Sequence, residues 1–192
     1  MPKLGMEPIR RAALIDAAIA EIGQAGSLDV TVSQIARRAG VSSGLAHHYF
    51  GNKDRLLLAA MRQVMSDYSQ EVRRGLKLAK TPVERLNAIV HGGFAPSNFQ
   101  ADTVSAWLNF YVLALSSPNA RRLHRIYARR LRSNLIHAIR PMAISRAVEI
   151  ADRAAALIDG FYLNYGLDPE LPDGAFATDT VMAAVLRDIA DC

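Results

Sequence analysis

Residues 33–50 read SQIARRAGVSSGLAHHYF: a short apolar helix, a break at Gly40, then a second helix that starts behind a serine and ends in two adjacent histidines. Ile35, Ala36 and Ala39 share the inward side of the first segment, and Ala36 is small where another helix must cross closely. Gly40 can take the left-handed conformation that a tight turn demands. Ser42 offers its hydroxyl as a cap to the second segment, roughly residues 43–49, whose neighbours Val41 and Leu45 point back into a three-helix core. Ser43, Gly44, Ala46, His47 and His48 are then expected on the outside.

Two chemistries compete for that outer surface. His47 and His48 as metal ligands fail on geometry: adjacent helical residues diverge by about 100°, and no Cys or acidic partner stands at helical spacing beyond them. Neither a metal nor a cofactor is expected. Short or flat side chains on a protruding helix suit a different task, because they let the helix sit deep in a DNA major groove while hydroxyls and backbone meet phosphates. One or both histidines then contact DNA or simply face solvent, and Tyr49 and Phe50 are half core.

Outward from this stretch, helical period dominates. Residues 10–23 place Leu14, Ala18 and Ile22 on one stripe; Thr31 caps the helix that holds Ile35; Asn52 caps a long helix from Lys53 to about Leu78 with Leu56, Leu57, Ala60, Val64 and Tyr68 inward. Thr81-Pro82 opens another helix, and GGFAP at 92–96 reads as its stop. Further helices fit 100–116, 118–139, 145–166 and 174–190. The aromatic run near position 108 has strand-like composition, but its long apolar extent favours a helix. The expected class is all-α with about nine helices: an N-terminal three-helix head, residues 1–51, and a larger helical domain, 52–192.

Composition limits the function. The chain has 192 residues, 51% of them hydrophobic, enough for a real core. Its single cysteine, Cys192, allows no internal disulfide and suits a reducing cytoplasm. No secretory core or membrane span is recognisable, so no membrane association is expected. Charge is polarised: +3 over residues 1–62, +9 over 63–148 and −7 over 149–192. A basic front and acidic tail direct any polyanion towards the N-terminal side. Catalysis finds little support, since there is no phosphate-cradling glycine loop, no helical Cys nucleophile and no carboxylate pair with a matching His.

TVSQIARRAGVSSGLAHHYFGNKDRLL, positions 31–57, behind a helix containing Ala17, Ile22 and Gly26, resembles the TetR family of one-component bacterial repressors. The start MPKLGMEPIRRAALIDA, AWLNFY near 110, RRLRSNL near 132 and ALIDGFYL near 160 narrow the resemblance to those members that repress choline-to-glycine-betaine genes. The resemblance implies a homodimer on a double-stranded, roughly palindromic operator, with recognition helices about 34 Å apart, and a small-molecule effector bound by the larger domain. It implies that Thr31 caps and touches phosphate, that Ser42, Ser43, Gly44 and Leu45 enter or border the groove, that His48 and Tyr49 lie along the backbone, and that Lys53 meets phosphate. Many relatives carry tyrosine where this chain has His47, so the phenolic phosphate contact does not carry over, and an imidazole donating to phosphate or to a base edge is the alternative.

Aromatics at helical spacing supply a candidate effector site. Trp107, Phe110 and Tyr111 form one group; Phe161, Tyr162 and Tyr165 stand near Asp159 in another. A quaternary ammonium is recognised by aromatic faces, roughly 0.5–2 kcal/mol each, with a carboxylate for balance. Trp107, Phe110, Tyr111, Asp159 and Tyr162 are therefore the candidate ligand residues, although each ring could equally be core. Choline is favoured by the resemblance and permitted by the chemistry. Arg122, Arg125, Arg129 and Arg132 fall on one stripe, which is a solvated face, a partner for the acidic tail, or, if it lines the pocket, a sign of an anionic effector. Small residues Ala151, Ala154, Ala155, Ala156 and Gly160 with Leu157, Ile158 and Phe161, and Phe176, Val181, Ala184 and Ile189 on the last helix, suit a four-helix dimer interface or a buried core. An architectural DNA-binding protein without effector is the remaining alternative.

Overall fold

The computed structural model describes residues 5–168 and 174–191; Cys192 lies outside them. Among the described residues there are nine α-helices and no strand: α1 (Met6–Ala25), α2 (Val32–Arg38), α3 (Ser43–Phe50), α4 (Lys53–Leu78), α5 (Pro82–Phe94), α6 (Ala101–Ser116), α7 (Pro118–Ile139), α8 (Ala147–Leu167) and α9 (Gly174–Ala190). The chain forms two compact units, residues 5–64 with 102–121 and residues 65–101 with 122–168 and 174–191. Helix α4 therefore begins in the first unit and ends in the second.

In the first unit, local sequence sets each boundary. Thr31 accepts from the Gln34 backbone N–H at 3.1 Å while the Gln34 side chain accepts from the Thr31 N–H, a reciprocal cap worth about 1 kcal/mol. Gly40 adopts φ 66°, the left-handed value that a β-carbon would oppose, and the Val41 N–H reaches back to the Ala36 carbonyl. Ser42 accepts from the Leu45 N–H at 3.2 Å, and Asn52 accepts from the Arg55 N–H at 2.9 Å. Leu14, Ile22, Ile35, Leu56 and Phe110 fill the centre. Gly23 lets α1 meet the start of α6, for a β-carbon there would stand 2.5 Å from the Asp102 Cα.

The second unit buries Leu86, Val90, Leu135, Ile139, Ile150, Val181 and Val185. The stop expected at GGFAP, 92–96, is present: α5 ends at Phe94 with Ala95 as its cap, and Gly92 and Gly93 lie inside its last turn. Gly92 is also a contact point, since a β-carbon there would lie 2.6 Å from Val72 Cγ2 on α4. The carbonyls that a helix end leaves free are taken by side chains: Asn98 Nδ2 donates to the Gly92 oxygen at 2.8 Å, and Tyr162 Oη to the Gly93 oxygen at 2.5 Å.

Candidate functional site

Helix α3 is held from behind and open in front. Ala46 and Phe50 are buried. Arg11 on α1 donates from Nη1 to the Tyr49 carbonyl at 2.7 Å, and its guanidinium lies 4.6 Å from the Phe50 ring centroid. Helix α2 is tied to α1 by Arg38, which donates to Glu21 at 2.5 Å and to the Gln24 side chain. The expectation that Ala46 faces outward is corrected: it is 1% exposed, because it follows Leu45 onto the side that meets α1 and α2. Leu45 itself is half-buried, and Val41 likewise.

The outward surface is what remains. Ser42, Gly44, His47 and His48 are exposed, while Ser43 is half-buried and donates to Ser33 Oγ at 3.1 Å. A β-carbon on Gly44 would meet nothing within 4 Å. Thr31 is exposed at the start of α2, Tyr49 and Lys53 are half-buried, and the His48 and Tyr49 rings lie 5.5 Å apart. His47 Nδ1 stands 3.2 Å from the Gly51 carbonyl oxygen. A carbonyl only accepts, so in this contact Nδ1 carries the proton and donates, leaving Nε2 as the ring nitrogen not used by it. The nine residues expected at DNA thus lie on one stretch of the first unit, from the cap of α2 to the start of α4.

The candidate ligand residues divide between the two units. Trp107 and Phe110 are buried in the first, Phe110 completely, and Tyr111 is half-buried with its ring 5.5 Å from that of Trp107. Tyr162 is buried in the second unit. Asp159 is exposed one turn before it, yet close enough for its charge to help hold the Tyr162 phenol above the usual range, after burial and the Tyr68 hydroxyl.

Tyr162 belongs to a larger aromatic cluster than the sequence suggested. Phe94 and Phe99 join Phe161, Tyr162 and Tyr165: Phe99 stacks on Tyr165 at 4.5 Å and lies edge-on to Tyr162 at 5.2 Å, and Phe94 meets Phe161 at 5.8 Å. Phe94 and Phe99 were missed because HGGFAPSNFQ reads as a helix stop and loop, whereas both rings are buried. Beside the cluster opens a groove of about 720 Å³, lined by Phe94, Phe99 and Tyr165 together with His91, Thr178 and Asp179.

The arginine stripe faces solvent: Arg122, Arg125, Arg129 and Arg132 are all exposed. Arg132 forms a two-point contact with Asp152 on α8, at 2.5 and 3.1 Å, so part of the expected pairing with the acidic end is present. The hydrogen bonds from Arg132 hold the Asp152 carboxyl below its usual range. The proposed interface residues also divide. Ala151, Ala154, Ile158 and Val181 are buried within the second unit, whereas Leu157 and Phe176 are 39% and 51% exposed and Ala156, next to Leu157 in sequence, is exposed too. Among the described residues no group of three His, Cys, Asp or Glu is placed to hold a metal, and no helix is long and apolar enough to cross a membrane.

A helix-turn-helix with a thin, open second helix, followed by a larger helical body, defines a one-component DNA-binding regulator. Two family models agree: residues 14–60 match the bacterial regulatory proteins of the tetR family, and residues 82–190 match the C-terminal domain of the BetI-type transcriptional repressor. The HTH-type transcriptional regulator BetI of Brucella suis is 52% identical over 178 residues, covering 92% of this chain and 90% of that protein. Its counterpart in Agrobacterium fabrum is 52% identical over 168 residues, covering 87% and 82%. The chain belongs to the TetR family and is a transcriptional repressor, not an enzyme.

Solved structures carry the same fold. A transcriptional regulator from Pseudomonas aeruginosa PAO1 matches with TM-score 0.82 and 26% identity, over 98% of this chain and 93% of that one. A transcriptional regulator from Saccharomonospora viridis, solved in complex with choline, matches with TM-score 0.81 and 22% identity over 91% and 94%.

Proposed function

We propose that this repressor controls choline-to-glycine-betaine genes and responds to choline or a closely related quaternary ammonium. The observation that carries the reading is the match of residues 82–190, the effector half of the chain, to the BetI-type C-terminal domain. The choline bound to the Saccharomonospora viridis regulator supports it, as does the aromatic clustering around Tyr162. The exposure of the arginine stripe favours a cationic over an anionic effector.

In this reading residues 1–51 form the DNA-binding head and 52–192 the effector and dimerisation domain of a cytoplasmic homodimer. Thr31 and Lys53 meet phosphates; Ser42, Ser43, Gly44 and Leu45 enter or border the groove; His47 offers Nε2 to a base amine or, when protonated, donates to phosphate; His48 and Tyr49 follow the backbone. The partner subunit docks against the face that carries Leu157 and Phe176. Asp159 and Tyr162 serve the effector within the second unit, and Trp107, Phe110 and Tyr111 pack within the first. Release is a population shift: choline lowers operator affinity only if it binds the other head spacing better.

A mobility-shift titration on the gene's own upstream DNA tests this. Choline should weaken the shifted complex, and an anion of similar size should not. A complex indifferent to choline, betaine aldehyde and glycine betaine would refute the effector assignment.

A further inference from the structure

Tyr68 spends no hydroxyl on the fold. It lies on α4, 6% exposed, and its Oη is buried with no hydrogen-bond partner among the described residues. A buried hydroxyl left in that state is costly, and native cores rarely keep one without a use. Its surroundings are aromatic and drawn from several helices of one unit. Tyr127 on α7 meets it edge-on at 5.4 Å, and Gly93 on α5 would place a β-carbon 3.9 Å from its ring. Tyr162 on α8 is near enough for the two phenols to interact, and its own proton is committed to the Gly93 carbonyl. Tyr162 therefore offers lone pairs and a ring, whereas Tyr68 offers a ring and an unspent proton.

These complementary roles define a ligand. Aromatic faces select a quaternary ammonium, which forms no ordinary hydrogen bond. An unspent O–H selects an acceptor oxygen a few atoms from that cation. We propose that Tyr68 is the hydrogen-bond partner of the effector's oxygen, so that the site takes a quaternary ammonium bearing a hydroxyl, carbonyl or carboxylate group and discriminates against the bare cation. This rests on the effector reading above and assigns it a specificity residue. Burial keeps the phenol protonated throughout the physiological range, so the donor is always armed.

The test compares choline with tetramethylammonium, which keeps the cation and lacks the oxygen, by calorimetric titration of the full-length protein and its Tyr68→Phe variant. Wild type should prefer choline roughly tenfold, and the variant should lose that preference by weakening choline alone. Tyr68→Phe should melt at or above the wild-type temperature, because it removes a hydroxyl that the fold does not use. A variant that keeps the wild-type ratio, weakens both ligands equally, or melts several degrees lower overturns the role given to Tyr68. Wild-type protein that binds neither cation overturns the effector reading, and this inference with it.

Discussion

Lys53 and His47 make different kinds of contact if the head sits on DNA as proposed, and their substitutions separate them. Lys53, at the first position of α4, would neutralise a phosphate and read no sequence. Lys53→Ala should weaken binding to operator and non-operator DNA alike and reduce the salt slope of log K by about one, as measured by fluorescence anisotropy across salt concentrations. An unchanged slope would remove Lys53 from the interface. The histidine was visible in the sequence as a departure from the usual tyrosine, but not its polarity. Only the 3.2 Å approach of Nδ1 to the Gly51 carbonyl shows which ring nitrogen the fold uses. Ala46 shows the same limit in reverse: composition alone placed it outside, and one residue of helical phase places it in the core.

Among the elements, those with strong punctuation were legible. Thr31, Ser42, Asn52 and Thr81 all cap the helices they were expected to cap, and Gly40 turns left-handed between α2 and α3. The inward positions of α4 from Leu56 to Tyr68 follow from periodicity and are buried. What sequence hid was close contact between elements. Gly92 sits in the segment that ends α5 and is also a crossing point, with Gly75 against Ala88 repeating the device where a β-carbon would come within 2.7 Å. Gly92→Ala sets a helix-propensity gain of about 1 kcal/mol against overpacking of about 1–3 kcal/mol. Gly92→Val removes the gain and keeps the clash. It should lower stability by about 2 kcal/mol or more in denaturant titration, and a wild-type midpoint would show that α4 and α5 have room to part.

For the whole molecule, the division between buried and exposed small residues on α8 and α9 decides what subunit association can use. Ala151, Ala154 and Val181 are buried within one subunit, so the interface expected from the sequence narrows to exposed apolar side chains such as Leu157 and Phe176. Leu157→Glu should give a folded monomer by sedimentation, with wild-type helicity and sharply weaker operator binding. An unfolded chain would assign Leu157 to the subunit core, and an intact dimer would move the interface elsewhere. The aromatic cluster was less legible than the head because its residues come from segments distant in sequence: Phe94 and Phe99 gain meaning only beside Tyr162.

The central claim is that α3 projects from the head and is inserted into the major groove by both subunits together. Footprinting of the upstream DNA with wild-type protein and with Gly44→Glu tests it most directly, since Gly44 has open space around it and the substitution should leave the fold intact. Wild type should protect two patches about one helical turn apart on one face of the duplex. Gly44→Glu, with unchanged melting, should protect neither, and protection that survives the substitution would contradict the account.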